Sequence, residues 1–190
     1  MRDSLRWPPD WSGKRAIVIG SGPSLTAEDC ELVRASGHPV VVTNTTFRAC
    51  PWADALFAFD AKWWQVYQEE VFATFAGRKV SSSHLAGKYD VEIIPRRHRN
   101  SGAAAVGLAM DYGAERVVLL GFDLQVGPNG ESHWHGDHIH GLGNTQSIGD
   151  WPRHFKILAK HAEKKGVEIV NASRRTALQA FPLVTLEDVL

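Results

Sequence analysis

Imidazole is concentrated in one stretch of the chain. Ser132-His133-Trp134-His135-Gly136-Asp137-His138-Ile139-His140 sets four histidines within eight positions. A neutral imidazole ligates zinc-like ions, and it titrates close enough to neutrality to move protons. In one reading His133, His135, Asp137 and His138 ligate a single divalent metal. In another, one histidine is a general acid or base beside a leaving phosphate. The third is a polar loop whose histidines do no chemistry.

The second stretch is Arg15 to Leu25, RAIVIGSGPSL. A β-branched run, Ala16 to Ile19, stops at Gly20-Ser21-Gly22-Pro23-Ser24, and a helical stretch follows to about Ser36. Glycine lets backbone approach a ligand closely, and the N–H groups that open a helix favour an anion, most often phosphate. This predicts a phosphate or nucleotide against Gly20 to Ser24, with a ligand-free βα turn as the alternative. Leu25 stands where a dinucleotide fingerprint needs its third glycine, so a dinucleotide is weakly supported.

Around these lie the elements that must position them. Val40 to Thr43, Ala55 to Phe59, Lys79 to Ser81, Val91 to Pro95, Arg116 to Leu120 and Val167 to Val170 read as strands. Lys62 to Phe75, Ala103 to Tyr112 and Pro152 to Lys165 read as helices, with a short last helix at Leu186 to Leu190. Ser101 is placed to cap the small-residue helix. Alternating strands and helices predict a single α/β domain over residues 1–190, Rossmann-like, with a mainly parallel sheet and helices on both faces. Residues 1–14 read as an arm packed on it by Trp7 and Trp11.

In such a sheet ligands collect at the C-terminal strand edge. Ser21, Ser24, Asn44, Asp60, Asp123, Asn171 and Ser173 all fall there and outline a cleft, although each alone would serve as a cap or turn residue. Arg96, Arg97 and Arg99 precede a helix start and either neutralise phosphate or form a solvated turn. Trp63, Trp64, Tyr67, Val71 and Phe75 keep helical spacing, which is the pattern of a core stripe rather than of a cofactor platform.

Composition narrows the classes. Lys+Arg and Asp+Glu are both 21 of 190 residues, so no global basic field points to nucleic acid. Cys30 and Cys50 have neither metal nor redox spacing and read as buried thiols. Met1 leads into a polar segment and no long apolar run follows, which predicts no membrane span and a cytoplasmic protein.

Two resemblances bear on function. His133-x-His-x-Asp-His138 spells the metal motif of metallo-β-lactamase-like hydrolases, but a turn, Val126 to Glu131, stands where those proteins have a long apolar strand. Their further downstream ligands also lack counterparts. The second resemblance spans about residues 15–175. Ile17-Val-Ile-Gly-Ser-Gly-Pro-Ser-Leu25 resembles the opening of bacterial lipooligosaccharide sialyltransferases and of the related motility-accessory-factor and pterin-diphosphokinase-like families. Val42-Thr-Asn44, Phe57-Ala-Phe-Asp60, Asn100-Ser-Gly102, Val117 to Asp123 and Ser132-His-Trp-His-Gly136 follow in the same order as that family's motifs.

This resemblance implies a nucleotide-sugar donor, a cytidine-monophosphate sugar in the sialyltransferases. It would be held by Gly20, Ser21, Gly22, Pro23, Ser24, Asn44, Ser101 and Gly102, with Asp60 at ribose or base and Asp123 closing its strand. Arg97 or Arg99 would offset charge as the nucleotide leaves. The family's base histidine follows the loop glycine. Asp137 takes that register here, so His133, Asp137 and His138 all stand as catalytic residues. Leu124 replaces an expected tyrosine, and the chain leaves no room for the family's acceptor lid. A compact chain of this kind looks like bacteriophage-encoded members. That implies a glycan or a modified nucleic-acid base as acceptor, and a host-cytoplasmic location. The functional expectation is transfer of a group, a sugar first, from a nucleotide-activated donor. Metal-dependent pyrophosphate transfer or hydrolysis at the His loop and a non-enzymatic nucleotide-binding protein are the alternatives, and a homo-oligomer stays open.

Overall fold

A computed structural model describes residues 9–139, 141–143 and 145–190. In chain order it contains β1 (Arg15–Ile19), α1 (Ala27–Ser36), β2 (Val40–Thr43), β3 (Ala55–Phe57), α2 (Ala61–Thr74) and β4 (Arg78–Ser81). Then come β5 (Glu92–Ile93), α3 (Ser101–Asp111), β6 (Arg116–Leu120), α4 (Trp151–Lys165) and β7 (Glu168–Asn171). The strands form one 7-stranded sheet in the order β5-β4-β3-β2-β1-β6-β7. Every pairing is parallel. This is the Rossmann-like α/β arrangement that the sequence predicts.

Side chains alternate across each strand, so one run feeds two cores. Ile17, Ile19, Val42, Leu56 and Leu120 face α1 and α2, whose Cys30, Val33, Trp64 and Val71 are buried there. Ala16, Val18, Val41, Phe57 and Leu119 face α3 and α4, meeting the alanine-rich run from Ala103 to Ala109 and Phe155, Leu158 and Ala162. Small residues on α3 let it lie close over β1 and β2. The aromatic stripe of α2 is buried, as its spacing predicts, although Trp63 also faces the cavity beyond the strand ends, and the Trp64 indole donates to the Ala58 carbonyl at 2.9 Å. Cys30 and Cys50 are both buried free thiols.

Element ends differ from the sequence reading in instructive ways. Thr26 caps α1 through a reciprocal box with Asp29, so the helix starts beyond the glycine turn, not at Leu25. Asn100, not Ser101, caps α3: its side chain accepts from the Ala103 amide and Ser101 becomes the first helical residue. β3 stops at Phe57 and β5 shrinks to two residues. The last short helix is a 3₁₀ turn at Glu187–Val189. Trp11 docks as expected, edge-on to Tyr112 at 4.8 Å, whereas Trp7 lies outside the described residues. No helix among the described residues is long and apolar enough to cross a membrane.

Candidate functional site

Chain direction reverses its lateral progress at β1, with β2 on one side and β6 on the other. Such a switch opens a crevice beyond the strand ends. A cavity of about 430 Å³ lies there. Its walls include Gly20 to Pro23, Asn44, Asp60, Arg99 to Gly102, Gly121 to Gln125, His133 and His138. Thus most of the residues expected at the cleft do meet in one place, although they span more than half the chain.

The glycine turn plays a different part from the one its sequence suggests. Gly20 and Gly22 donate their amides to Leu120 and Gly121 at 2.7 and 2.8 Å, and Leu25 donates back to Gly22 at 3.1 Å. Ser24 donates both its amide and its hydroxyl to the Asp123 carboxylate, each at 2.8 Å. These groups are spent inside the protein and do not form an anion cradle. A Cβ on Gly20 would sit 2.6 Å from the Gly121 oxygen, and one on Gly22 would sit 2.2 Å from Asp123 Oδ1. The glycines therefore let the ends of β1 and β6 touch. Ser24 points into this joint, and the turn supplies a wall to the cavity. Burial raises the Asp123 carboxyl, and the two Ser24 bonds only partly counter it.

The free helix start at the cavity belongs to α3. Ser101 and Gly102 occupy the first two positions, where amides have no acceptor within the helix, and both line the cavity. Arg99 lines it from the approach to the helix, and His154 and Trp151 line it from the first turn of α4. A Cβ on Gly102 would meet Phe122 at 2.8 Å, so this glycine lets the helix start pack against the strand end. Arg97 is directed elsewhere. It pairs with Asp111 at 3.3 Å, at the far end of α3, and does not line the cavity. The intervening His98 is buried against Gly107 on the flank of α3.

Asn44 and Asp60 reach the cavity from the ends of β2 and β3. Asn44 has φ +47° and starts a 3₁₀ turn to Arg48, and Asp60 caps α2 by accepting from Lys62 at 2.8 Å. The turn after β2 also ties the glycine loop down: Thr46 bonds Ser21 Oγ at 2.9 Å and the Gly20 carbonyl at 3.1 Å. The His-rich loop folds back over it, with the Trp134 amide donating to the Ser21 carbonyl at 3.2 Å.

Three imidazoles of that loop gather into a cluster. Ring centroids are 5.2 Å apart for His133 and His135, 4.8 Å for His133 and His138, and 5.0 Å for His135 and His138. Burial lowers all three proton affinities, and the neighbouring imidazoles add to this at His135 and His138, each brought to about 4. All three are therefore neutral near pH 7. His138 Nδ1 lies 3.4 Å from Thr45 Oγ1, which also accepts the Trp63 indole N–H at 3.3 Å. Asp137 is exposed and does not line the cavity, but its carboxylate faces the cluster, where its charge acts to raise His133 and His138 against the effect of burial. His140 lies outside the described residues. Among the described residues no group of three His, Cys, Asp or Glu side chains is arranged to hold a metal ion as it stands.

Sequence reasoning missed His154, Trp151, Phe155 and Phe122 as cavity residues. The first three open an amphipathic helix and read as ordinary helix residues. Their position in its first turn, directly after the polar loop, was the available signal.

No family model matches the chain, and no curated protein matches it. Among solved structures it is similar to one described as a structural and functional study of chuY from E. coli CFT073. Identity there is 17% over 83% of this chain and 69% of that one, with a TM-score of 0.32. It is also similar to a xylose isomerase-like TIM barrel/4-hydroxyphenylpyruvate dioxygenase fusion protein, at 16% identity over 85% of this chain and 22% of that one, with a TM-score of 0.20. Neither likeness bears on function.

Proposed function

We propose that the protein transfers a group, a sugar in the first instance, from a nucleotide-activated donor to an acceptor hydroxyl. The observation that carries this reading is the cavity at the β1–β6 switch, where the start of α3, Arg99 and neutral imidazoles share one space. Donor phosphate sits against the Ser101 and Gly102 amides, with Arg99 offsetting its charge. The Gly20 to Pro23 turn bounds the nucleotide, and Asn44 and Asp60 offer an amide and a carboxylate to ribose or base. The acceptor oxygen forms the new bond to the transferred carbon as the bond from that carbon to the phosphate oxygen breaks. The nucleotide leaves with the electron pair, and the acceptor's proton passes to His133 or His138, which line the same cavity.

Calorimetric titration with cytidine, uridine, guanosine and adenosine mono- and diphosphates tests the reading. At least one binds, and Arg99→Ala weakens it about tenfold, as loss of one charge-assisted contact predicts. If none binds, the proposal is abandoned.

A further inference from the structure

We infer that His133, His135 and His138 form a site for one divalent transition-metal ion, zinc-like in preference, with its open position toward the cavity. The inference stands on this side-chain cluster alone and does not rest on the nucleotide reading. Nε2 of His133 and Nε2 of His135 are buried and have no hydrogen-bond partner. Buried polar atoms are ordinarily satisfied, so two orphaned ring nitrogens within one cluster call for a shared partner. Protonation would not supply it, since two adjacent buried cations would repel. A cation that both lone pairs can bind does.

The spacing agrees. Imidazoles bound at about 2.1 Å around a tetrahedral ion have ring centroids about 5 Å apart. The three separations here run from 4.8 to 5.2 Å. The rings of His133 and His135 are nearly parallel, at 17°, and the nitrogens of the cluster do not converge on one point as they stand. Turning a ring about its terminal torsion, a soft degree of freedom for histidine, brings them together without moving the backbone. Thr45, beside His138 Nδ1, is placed to orient the third ring from behind. His133 and His138 line the cavity and His135 does not, so a fourth ligand would arrive from the cavity side. That is the open-site pattern of a three-histidine centre, and it suits an oxygen ligand such as water or an acceptor hydroxyl. With the ion bound, His133 and His138 hold metal, and the proton they take up in the metal-free protein passes instead to His154, which lines the same cavity.

The test uses the full chain without an affinity tag, free of nucleotide, stripped with chelator and then reloaded with zinc or cobalt(II) after the chelator is removed. Zinc retention is measured by elemental mass spectrometry after gel filtration, affinity by competition with a chromophoric chelator, and geometry by the visible spectrum of the cobalt(II) form. The expected result is one zinc per chain with Kd below about 1 µM, and cobalt bands of a four-coordinate site. His135→Ala and His135→Gln each lower the affinity at least about tenfold, with circular dichroism unchanged, whereas His84→Ala has no effect. The inference is overturned by absence of zinc and of cobalt bands in the unmutated protein. It is equally overturned if zinc is kept by both His135 variants, or lost instead in His161→Ala, which would move the ion to His98 and His161, whose Nε2 and Nδ1 lie 3.3 Å apart. Nucleotide titration of the chelated protein is scored separately, so either result can fail without the other.

Discussion

Replacing Asp123 by alanine tests how the two halves of the cavity wall are joined. Its carboxylate is 3% exposed and accepts the amide and the hydroxyl of Ser24, each at 2.8 Å. Hydrogen bonds to a charged partner contribute about 1.5–3 kcal/mol each. Some of that sum is offset, because the variant no longer buries a carboxylate that burial already raises. The net loss is about 3 kcal/mol, which lowers Tm by roughly 6–12 °C for a domain of this size. Asp123→Asn keeps the shape and one acceptor for the Ser24 amide, and the Ser24 hydroxyl can turn to accept from the new amide. Its cost is about 1 kcal/mol. Urea denaturation of the two variants therefore reads a gap of about 2 kcal/mol, with unchanged m-values. An alanine variant losing less than about 1 kcal/mol would show that the Ser24–Asp123 joint does not hold the strand ends together.

Three further outcomes follow from the same contacts. Gly22→Ala, whose new Cβ would fall 2.2 Å from Asp123 Oδ1 and 2.6 Å from the Gly121 oxygen, destabilises by about 2–3 kcal/mol in the same denaturation assay. Arg174→Ala removes a fork on Asp29, with bonds of 2.8 to 3.1 Å, and costs about 1–2 kcal/mol because Arg174 itself is half exposed. Burial works to raise the Asp29 carboxyl, but the bonds from Arg174 and Thr26 hold it below its ordinary value. Amide-detected titration should show it rise in the variant. His98 is driven down to about 4, first by burial and then by His161, with Asp111, Arg97 and His154 also facing it. It stays neutral in the folded state while the unfolded chain takes up a proton near pH 6.5, so its contribution is present above pH 6.5 and is lost as pH falls toward 4. Between pH 7 and pH 5, His98→Gln should lose about 2 kcal/mol less than the unmutated protein, and equal losses would refute this assignment.

Much of the scaffold is legible in the sequence because its signals are local. The β-branched runs of β1, β2 and β6 and the alanine-rich stretch of α3 mark buried elements by composition alone. Gly20-Ser21-Gly22 announces a turn, but its purpose depends on Gly121 and Asp123, about a hundred residues away, and no local pattern reveals that close approach. Asn100 and Ser101 are both good caps, and only the backbone path into α3 selects Asn100. The spacing of His133, His135 and His138 likewise says nothing about whether a loop turns its rings together, and Ser21 and Thr45 decide that from other elements. Arg97 shows the reverse failure: its charge attracts a functional reading, and Asp111 at the far end of α3 claims it instead.

Anionic ligand is expected to meet this protein at the start of α3 and not on the Gly20–Ser24 turn. A crystal structure with a bound nucleotide tests it directly. Phosphate oxygens are expected within hydrogen-bond distance of the Ser101 and Gly102 amides, with Arg99 beside them. Phosphate seated on the amides of Gly22 and Ser24, with their bonds to Gly121 and Asp123 broken, would contradict it.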